Sequence, residues 1–122
     1  MTDRLTRTVI EPVNPKLNVS RNANLPHSPG IRVGDYIFLS GMGPVDPVTG
    51  GRNLGPIAEQ IRQTLRNMAH MLESAASGLD RIVKINVVVV DIRHYTHYKL
   101  VTENILACSR RKIAEIDFPE RW

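Results

Sequence analysis

The sequence predicts an α+β fold in which two helices cover one face of a sheet. Two short apolar runs, 31–33 and 36–40, flank a Gly-Asp pair, and a β-branched run follows later at 82–91. Between them, apolar residues recur at helical spacing from Ile57 to Leu72. Strands and helices in this order are typical of a layered fold with the helices on one sheet face.

Length and composition indicate a single globular domain. The chain has 122 residues, of which 42% are hydrophobic and 23% are charged. A chain of this length can bury a core without disulfides or metals, and the composition excludes disordered, collagen-like and coiled-coil chains. We therefore expect one domain over residues 1–122, with an irregular N-terminal segment at 1–30.

The same data favour a cytoplasmic protein that is not embedded in a membrane. The longest apolar run, 87–90, is too short to span a bilayer, and no apolar signal segment opens the chain. The single cysteine, Cys108, cannot form an internal disulfide. The net charge of +4 would attract anionic partners from small carboxylates to RNA, but aromatic residues make up only 5%. Charge therefore does not identify RNA as the partner.

The N-terminal third is predicted to contain three strands and a long loop. Thr6–Glu11 fits an edge strand, because the prolines that follow it block further ladder pairing. Residues 14–30 are rich in Asn, Ser, Pro and Gly, which predicts an extended loop. The apolar runs on either side of Gly34 and Asp35 then predict a hairpin.

The rest of the chain is predicted to be helix, strand and helix. The first helix should begin at Pro56 and end at Gly78. In the strand over 82–91 the second half is wholly apolar, which suggests cover on both faces, by a helix and by another subunit. The second helix should span about 93–110, with Tyr98, Val101 and Ile105 on one stripe. A further strand should follow it, close to where the chain ends.

The residues alone single out few candidates for chemistry. Gly41 and Gly43 lack the following helix that a phosphate loop needs. His94 and His97 are expected at the surface, because no third metal ligand stands at a diagnostic spacing. Cys108 is expected as a small buried residue rather than a nucleophile. Ser40 either terminates its strand or points a hydroxyl into a cleft at the end of the sheet.

A longer pattern carries a resemblance. Residues 32–41 read RVGDYIFLSG and residues 43–50 read GPVDPVTG, and further matches follow in order at 60–67, 78–84 and 87–91. This series resembles the RidA/YjgF family, also described as endoribonuclease L-PSP. The resemblance covers about residues 25–106.

The resemblance implies a fold, an assembly and a reaction. The fold is chorismate-mutase-like, with a mixed sheet and two helices on one face. The assembly is a homotrimer with a cleft at each subunit interface, which would cover the apolar residues 87–90. Many members hydrolyse reactive enamines and imines such as 2-aminoacrylate to ketoacids and ammonia. No cofactor or metal is implied.

The resemblance also implies site residues. Residues 118–121 resemble the family's F-P-x-R motif, so Arg121 would grip the substrate carboxylate through a bidentate fork. Ser40 and Gly41 match the strand-end Ser-Gly pair that lines the cleft. His27 stands where the family has tyrosine. We therefore expect Arg121 and Ser40 as catalytic residues, and His27, Gly41 and Arg121 as substrate-binding residues.

Two departures keep other functions open. Met42 replaces a common glutamine, and the family's final strands with their catalytic glutamate are apparently missing after Arg121, with Glu120 no evident substitute. An enamine or imine deaminase acting on a small carboxylate-bearing substrate is the first expectation. A carboxylate-binding module without turnover is the alternative. RNA cleavage is a second alternative, for which the sequence offers no paired histidines or histidine–lysine constellation.

Overall fold

Within the residues that the structure describes, two β-ladders lie beside one long helix. A computed structural model describes residues 6–99 and 115–117. The strands are β1 (Arg7–Ile10), β2 (Gly30–Val33), β3 (Tyr36–Leu39), β4 (Lys84–Asn86) and β5 (Glu115–Asp117), and the helices are α1 (Val19–Asn22) and α2 (Ile57–Ser74). The α+β class predicted from the sequence is confirmed.

The first ladder is a three-stranded antiparallel sheet in the order β1-β2-β3. Val9 pairs with Ile31, which in turn pairs with Phe38. Gly34, in the turn between β2 and β3, has φ of 57°, and a glycine adopts this left-handed conformation without steric cost. The predicted edge strand and the predicted hairpin are both confirmed.

The prediction of an extended loop over 14–30 is wrong. This segment contains a 3₁₀ turn, Pro15–Leu17, and the short helix α1. Asn14 and Asn18 explain the difference, because each directly precedes one of these turns and its side-chain oxygen accepts a backbone N–H from it. Residues that are common in loops here act as helix caps.

Helix α2 occupies a shorter range than predicted. Pro56 is the residue before the helix rather than its first residue, and the helix ends at Ser74, before Gly78. Ala76 adopts φ of 58°, and the Ser77 N–H donates to the Leu72 carbonyl at 2.7 Å. The chain therefore reverses in the manner of a glycine-terminated helix without using a glycine.

The core lies along one face of α2, as its apolar spacing predicts. Ile61 and Leu65 pack with Tyr98 in one cluster. Met71 packs with Ile10 of β1 in a second cluster, which joins the antiparallel sheet to the helix. Met71 is 1% exposed, so its flexible side chain fills this cluster.

A charged contact joins the same two layers. The Arg32 guanidinium extends from β2 and donates to the Ala75 carbonyl at the end of α2, at 2.5 Å. Carbonyls at a helix C-terminus carry partial negative charge, so a cation there is favourable. The contact fixes β2, and with it the end of β3, against the helix.

The second ladder is much shorter than predicted. Only Lys84–Asn86 of the run 82–91 forms a strand, and it pairs in parallel with Glu115–Asp117. A strand therefore does follow the predicted second helix. Residues 95–99 are helical, whereas the remainder of that predicted helix, including Val101 and Ile105, lies outside the described residues.

Alternate residues of the apolar run after β4 are uncovered within the described part of the chain, whereas Val87 packs against the core cluster that contains Leu65 and Tyr98. Val88 is 59% exposed and Val90 is fully exposed. Among the described residues the two ladders are separate, one antiparallel and one parallel, whereas the family resemblance implies that both belong to one mixed sheet. In the described ranges, no helix combines the length and the apolar character needed to cross a membrane.

Candidate functional site

The end of β3 is held against the chain that leads into β2. Both the N–H and the hydroxyl of Ser40 donate to the Pro29 carbonyl, at 3.0 and 3.1 Å. The hydroxyl proton is committed to this carbonyl, but the Ser40 oxygen retains lone pairs that can accept a hydrogen bond. Ser40 therefore terminates its strand and also presents a half-buried acceptor.

The backbone directly after Ser40 is open. Gly41 is exposed, and a Cβ built on it would meet no atom of the described residues within 4 Å. Neither strain nor close packing explains a glycine here. The open backbone leaves room for a ligand to approach the strand end.

Ser40 and Gly41 line a shallow depression, which we call the strand-end depression. It encloses about 20 Å³, which is room for a single water molecule, and Ser20, Pro29 and Met42 also line it. The described residues that line this depression are all apolar or neutral polar. None of them has a titratable side chain.

A second depression adjoins the first, and we call it the outer depression. It encloses about 190 Å³ and its lining includes His27, Glu11 and Arg21. Ser20 and Pro29 line both depressions. The structure thus places the predicted residues Ser40 and Gly41 on one side of a shared wall and His27 on the other.

His27 is exposed but anchored at one ring nitrogen. Its Nδ1 lies 3.1 Å from the Ser20 hydroxyl and 3.5 Å from the Ser28 carbonyl. Ser20 itself is only 5% exposed. The sequence did not single out Ser20, which is seven residues from His27 and becomes its neighbour because α1 turns the chain back.

A buried amide fixes the loop that follows Gly41. Asn67 of α2 is 2% exposed, and its Nδ2 donates to the carbonyls of Gly43 and Val45 at 3.0 and 2.9 Å. Its Oδ1 accepts from Gln63 at 2.9 Å. All the polar atoms of this side chain are therefore engaged, as burial requires. The sequence feature that could indicate this role is a polar asparagine beside the apolar face of the predicted helix.

The turn at 46–51 is closed by the side chain of its first residue. The Asp46 side chain accepts the backbone N–H groups of Val48 and Thr49, at 2.7 and 3.2 Å. Gly50 adopts φ of 78°. The Asn14 amide donates to the Pro47 carbonyl at 2.9 Å, which ties this turn to the segment before α1.

The remaining candidates do not join this site. Arg121 and Cys108 lie outside the described residues. The rings of His94 and His97 meet edge to face with centroids 6.0 Å apart. Among residues 6–99 and 115–117, no group of three or more potential ligands could hold a metal ion. The segment after Gly43 is irregular rather than helical, so the phosphate-loop geometry is absent there.

The carboxyl group of Asp91 has a lowered pKa, and it belongs to a turn that is distant in sequence from the residues of both depressions. Hydrogen bonds from the Arg93 side chain and backbone lower the pKa of Asp91 to about 2. The same carboxylate caps the 3₁₀ turn Ile92–His94. The shift is explained by a local ion pair and cap, and it does not mark a site of proton transfer.

Comparison with known proteins defines the class. The family model described as Endoribonuclease L-PSP matches residues 19–115, which is well over half of the chain. The protein therefore belongs to the RidA/YjgF family, in agreement with the motifs in its sequence.

Individual relatives agree. A RutC family protein, y4sK of Sinorhizobium fredii, is 37% identical over 84 residues, which cover 69% of this chain and 65% of the relative. The human 2-iminobutanoate/2-iminopropanoate deaminase is 33% identical over 70 residues, covering 57% of this chain and 51% of that protein. The matched segment thus spans less than two thirds of the length of these relatives.

Solved structures show the same fold. The YjgF gene product of E. coli has a TM-score of 0.79 at 25% identity, covering 92% of this chain and 84% of that one. The yeast protein YEO7 has a TM-score of 0.77 at 28% identity, covering 94% and 86%. These neighbours confirm the YjgF-type fold that the motifs predict.

Substituting Asn67→Asp tests the contact that holds the loop after Gly41. Aspartate keeps the shape but replaces two donated hydrogen bonds with a carboxylate facing two carbonyls. We expect the free energy of unfolding to fall by about 2–3 kcal/mol in urea denaturation. The amide resonances of residues 41–45 should shift with it.

The matched control is Asn53→Asp. The Asn53 side-chain oxygen accepts from the Gly55 N–H, and aspartate preserves that acceptor. We expect a change within about 0.5 kcal/mol. Equal losses in the two variants would contradict the role assigned to the Asn67 amide.

Proposed function

We propose that this protein hydrolyses small enamines or imines that carry a carboxylate, releasing a ketoacid and ammonia. The observation that carries the proposal is the open strand end, where the exposed backbone of Gly41 follows the acceptor oxygen of Ser40. A relative named as a 2-iminobutanoate/2-iminopropanoate deaminase supports this substrate class.

In this proposal the polar groups have separate tasks. Arg121 binds the carboxylate through two parallel hydrogen bonds, which fixes the orientation of the substrate as well as its charge. The Ser40 oxygen accepts a hydrogen bond from the substrate nitrogen or from the attacking water. An enamine first takes up a proton at its terminal carbon and becomes the protonated imine. Water then adds to the imine carbon, the carbon–nitrogen bond breaks, and ammonia leaves. The reaction is a hydrolysis, so it requires no redox cofactor.

One observation favours a second candidate function. The described lining of the strand-end depression has no titratable side chain, and Met42 contributes a thioether there. Such a lining suits binding better than proton transfer. A carboxylate-binding module of the same fold would bind ketoacids or amino acids without converting imines.

We propose further that the site is completed in a homotrimer. Val88 and Val90 expose apolar surface directly after β4. Exposed valines in a run are the kind of surface that a second subunit covers. The outer face of the antiparallel sheet also exposes Tyr36 and Phe38. A cleft between copies would then add walls to two depressions that are shallow within one chain.

The deaminase proposal predicts that Arg121→Ala loses activity without unfolding. 2-Aminoacrylate is generated from serine by a dehydratase, and pyruvate formation is followed with and without the protein. Loss of a charge-assisted bidentate contact should lower kcat/KM by about 100-fold. Circular dichroism verifies the fold of the variant.

Arg66→Ala is the matched control, because Arg66 is an exposed arginine on α2 that lines neither depression. It should leave the rate unchanged. Wild-type protein that binds pyruvate but does not accelerate the reaction would instead support the binding module. Binding of RNA that weakens steeply with salt would support the ribonuclease alternative.

The trimer proposal predicts that Val90→Lys weakens the assembly. Sedimentation velocity at micromolar protein should show a trimer for the wild type and a shift toward monomer in the variant, because a lysine charge is costly to bury. Val48→Lys, at an exposed valine of the 46–51 turn, is the control and should remain trimeric. A wild-type monomer would contradict both the trimer and the interfacial cleft.

A further inference from the structure

Ser20 holds the loop that carries His27 at two points. The Ser20 carbonyl accepts the Leu25 N–H at 2.8 Å, and the Ser20 hydroxyl lies 3.1 Å from His27 Nδ1. Between them, Asn24 adopts φ of 52°, which reverses the chain. One nearly buried serine therefore fixes both the backbone of this loop and the imidazole ring.

The surroundings of Nδ1 indicate which ring nitrogen carries the proton. The Ser28 carbonyl, 3.5 Å from Nδ1, can only accept a hydrogen bond, whereas the Ser20 hydroxyl can either donate or accept. A proton on Nδ1 is compatible with both neighbours. A bare Nδ1 would leave its lone pair facing the Ser28 carbonyl oxygen.

We propose that Ser20 is a positioning residue that holds His27 in the Nδ1–H tautomer, so that Nε2 is a proton acceptor in the outer depression. Nε2 lies across the ring from Ser20, and the His27 side chain is exposed. When Nε2 takes up a proton, Nδ1 still donates to the same partners. The ring can therefore gain and lose a proton without rearranging its contacts.

The catalytic consequence rests on the proposed function. A substrate held at Ser40 extends past Ser20 and Pro29, which line both depressions, to reach Nε2. The water that attacks the protonated imine carbon gives one proton to Nε2 as the carbon–oxygen bond forms. The imidazolium returns that proton to the nitrogen of the resulting carbinolamine, the carbon–nitrogen bond breaks with release of ammonia, and the remaining hydroxyl proton is lost to solvent as the carbonyl forms. Proton transfer of this kind is the usual task of a positioned histidine.

Two charged side chains share the outer depression with His27. Glu11 lies just after β1 and Arg21 lies on α1. The tautomer of His27 is therefore measured in the intact protein, with both charges in place.

The test is the ¹⁵N NMR spectrum of the histidine side chains in the wild-type protein. At about pH 8.5, well above the ordinary histidine pKa, the rings are neutral and the two nitrogens report the tautomer. His27→Gln identifies the His27 signals by their loss. We expect a protonated Nδ1 and a bare Nε2. The opposite assignment would overturn the proposal, and this measurement requires neither a Ser20 variant nor catalytic activity.

Variants of Ser20 then separate positioning from stability. In Ser20→Ala the Nδ1–H preference should be lost, and kcat/KM should fall by about tenfold with an altered pH profile. Ser20→Thr, which keeps the hydroxyl, should restore both. Ser77→Ala, in the turn after α2, is the control and should change neither.

The outcomes distinguish this inference from the proposed function. An unchanged tautomer in folded Ser20→Ala would show that Ser20 does not position the ring. The expected tautomer in a wild-type protein without deaminase activity would leave the positioning intact and overturn the deaminase. Should Ser20→Ala fail to fold, the wild-type spectrum still decides the tautomer, and Ser20→Thr reports whether the hydroxyl suffices.

Discussion

The buried Asn67 amide is the contact on which the candidate site depends. It stands on the packed side of α2 and donates to two carbonyls of the loop that follows the strand-end Ser40 and Gly41. An amide buried to this degree is stable only if its donors and acceptor are satisfied, so loop and helix constrain each other. The open backbone at Gly41 therefore has a fixed position although few side chains pack on it.

The elements that the sequence predicts well are those set by local periodicity. The apolar face of α2 follows from a spacing of three and four residues, and Leu65 and Met71 are fully buried as a result. The hairpin follows from a glycine that tolerates positive φ between two apolar runs. In both cases short-range chemistry and the final packing agree.

The elements that the sequence predicts poorly are those in which one residue type can serve two structural roles. Asn14 and Asn18 occur in a stretch that resembles a loop, yet they cap two helical turns. Ala76 follows the end of α2 in a left-handed conformation normally taken by glycine, so the helix ends before the predicted boundary at Gly78. The β-branched run after Ile82 supplies only three ladder residues, because ladder formation depends on a partner strand distant in sequence.

In the candidate site, too, some residues could be predicted from the sequence and others could not. Ser40, Gly41 and His27 follow from motif resemblance, and the structure places them on two sides of a wall formed by Ser20 and Pro29. Ser20 could not be found from the motifs, because its role depends on the chain reversal after α1 rather than on its neighbours in sequence. The two depressions are shallow in one chain, and we propose that Arg121 and further subunits complete the binding site.

The most direct test of the central claim is to map where a small ketoacid binds. Pyruvate is titrated into ¹⁵N-labelled protein, and the perturbed backbone amides are assigned. We predict saturable shifts that are largest at Ser40, Gly41 and Met42 and extend to Ser20. Saturable shifts confined to another surface, such as the turn at Ile92–His94, or no shifts at millimolar pyruvate, would contradict a binding site at the end of β3.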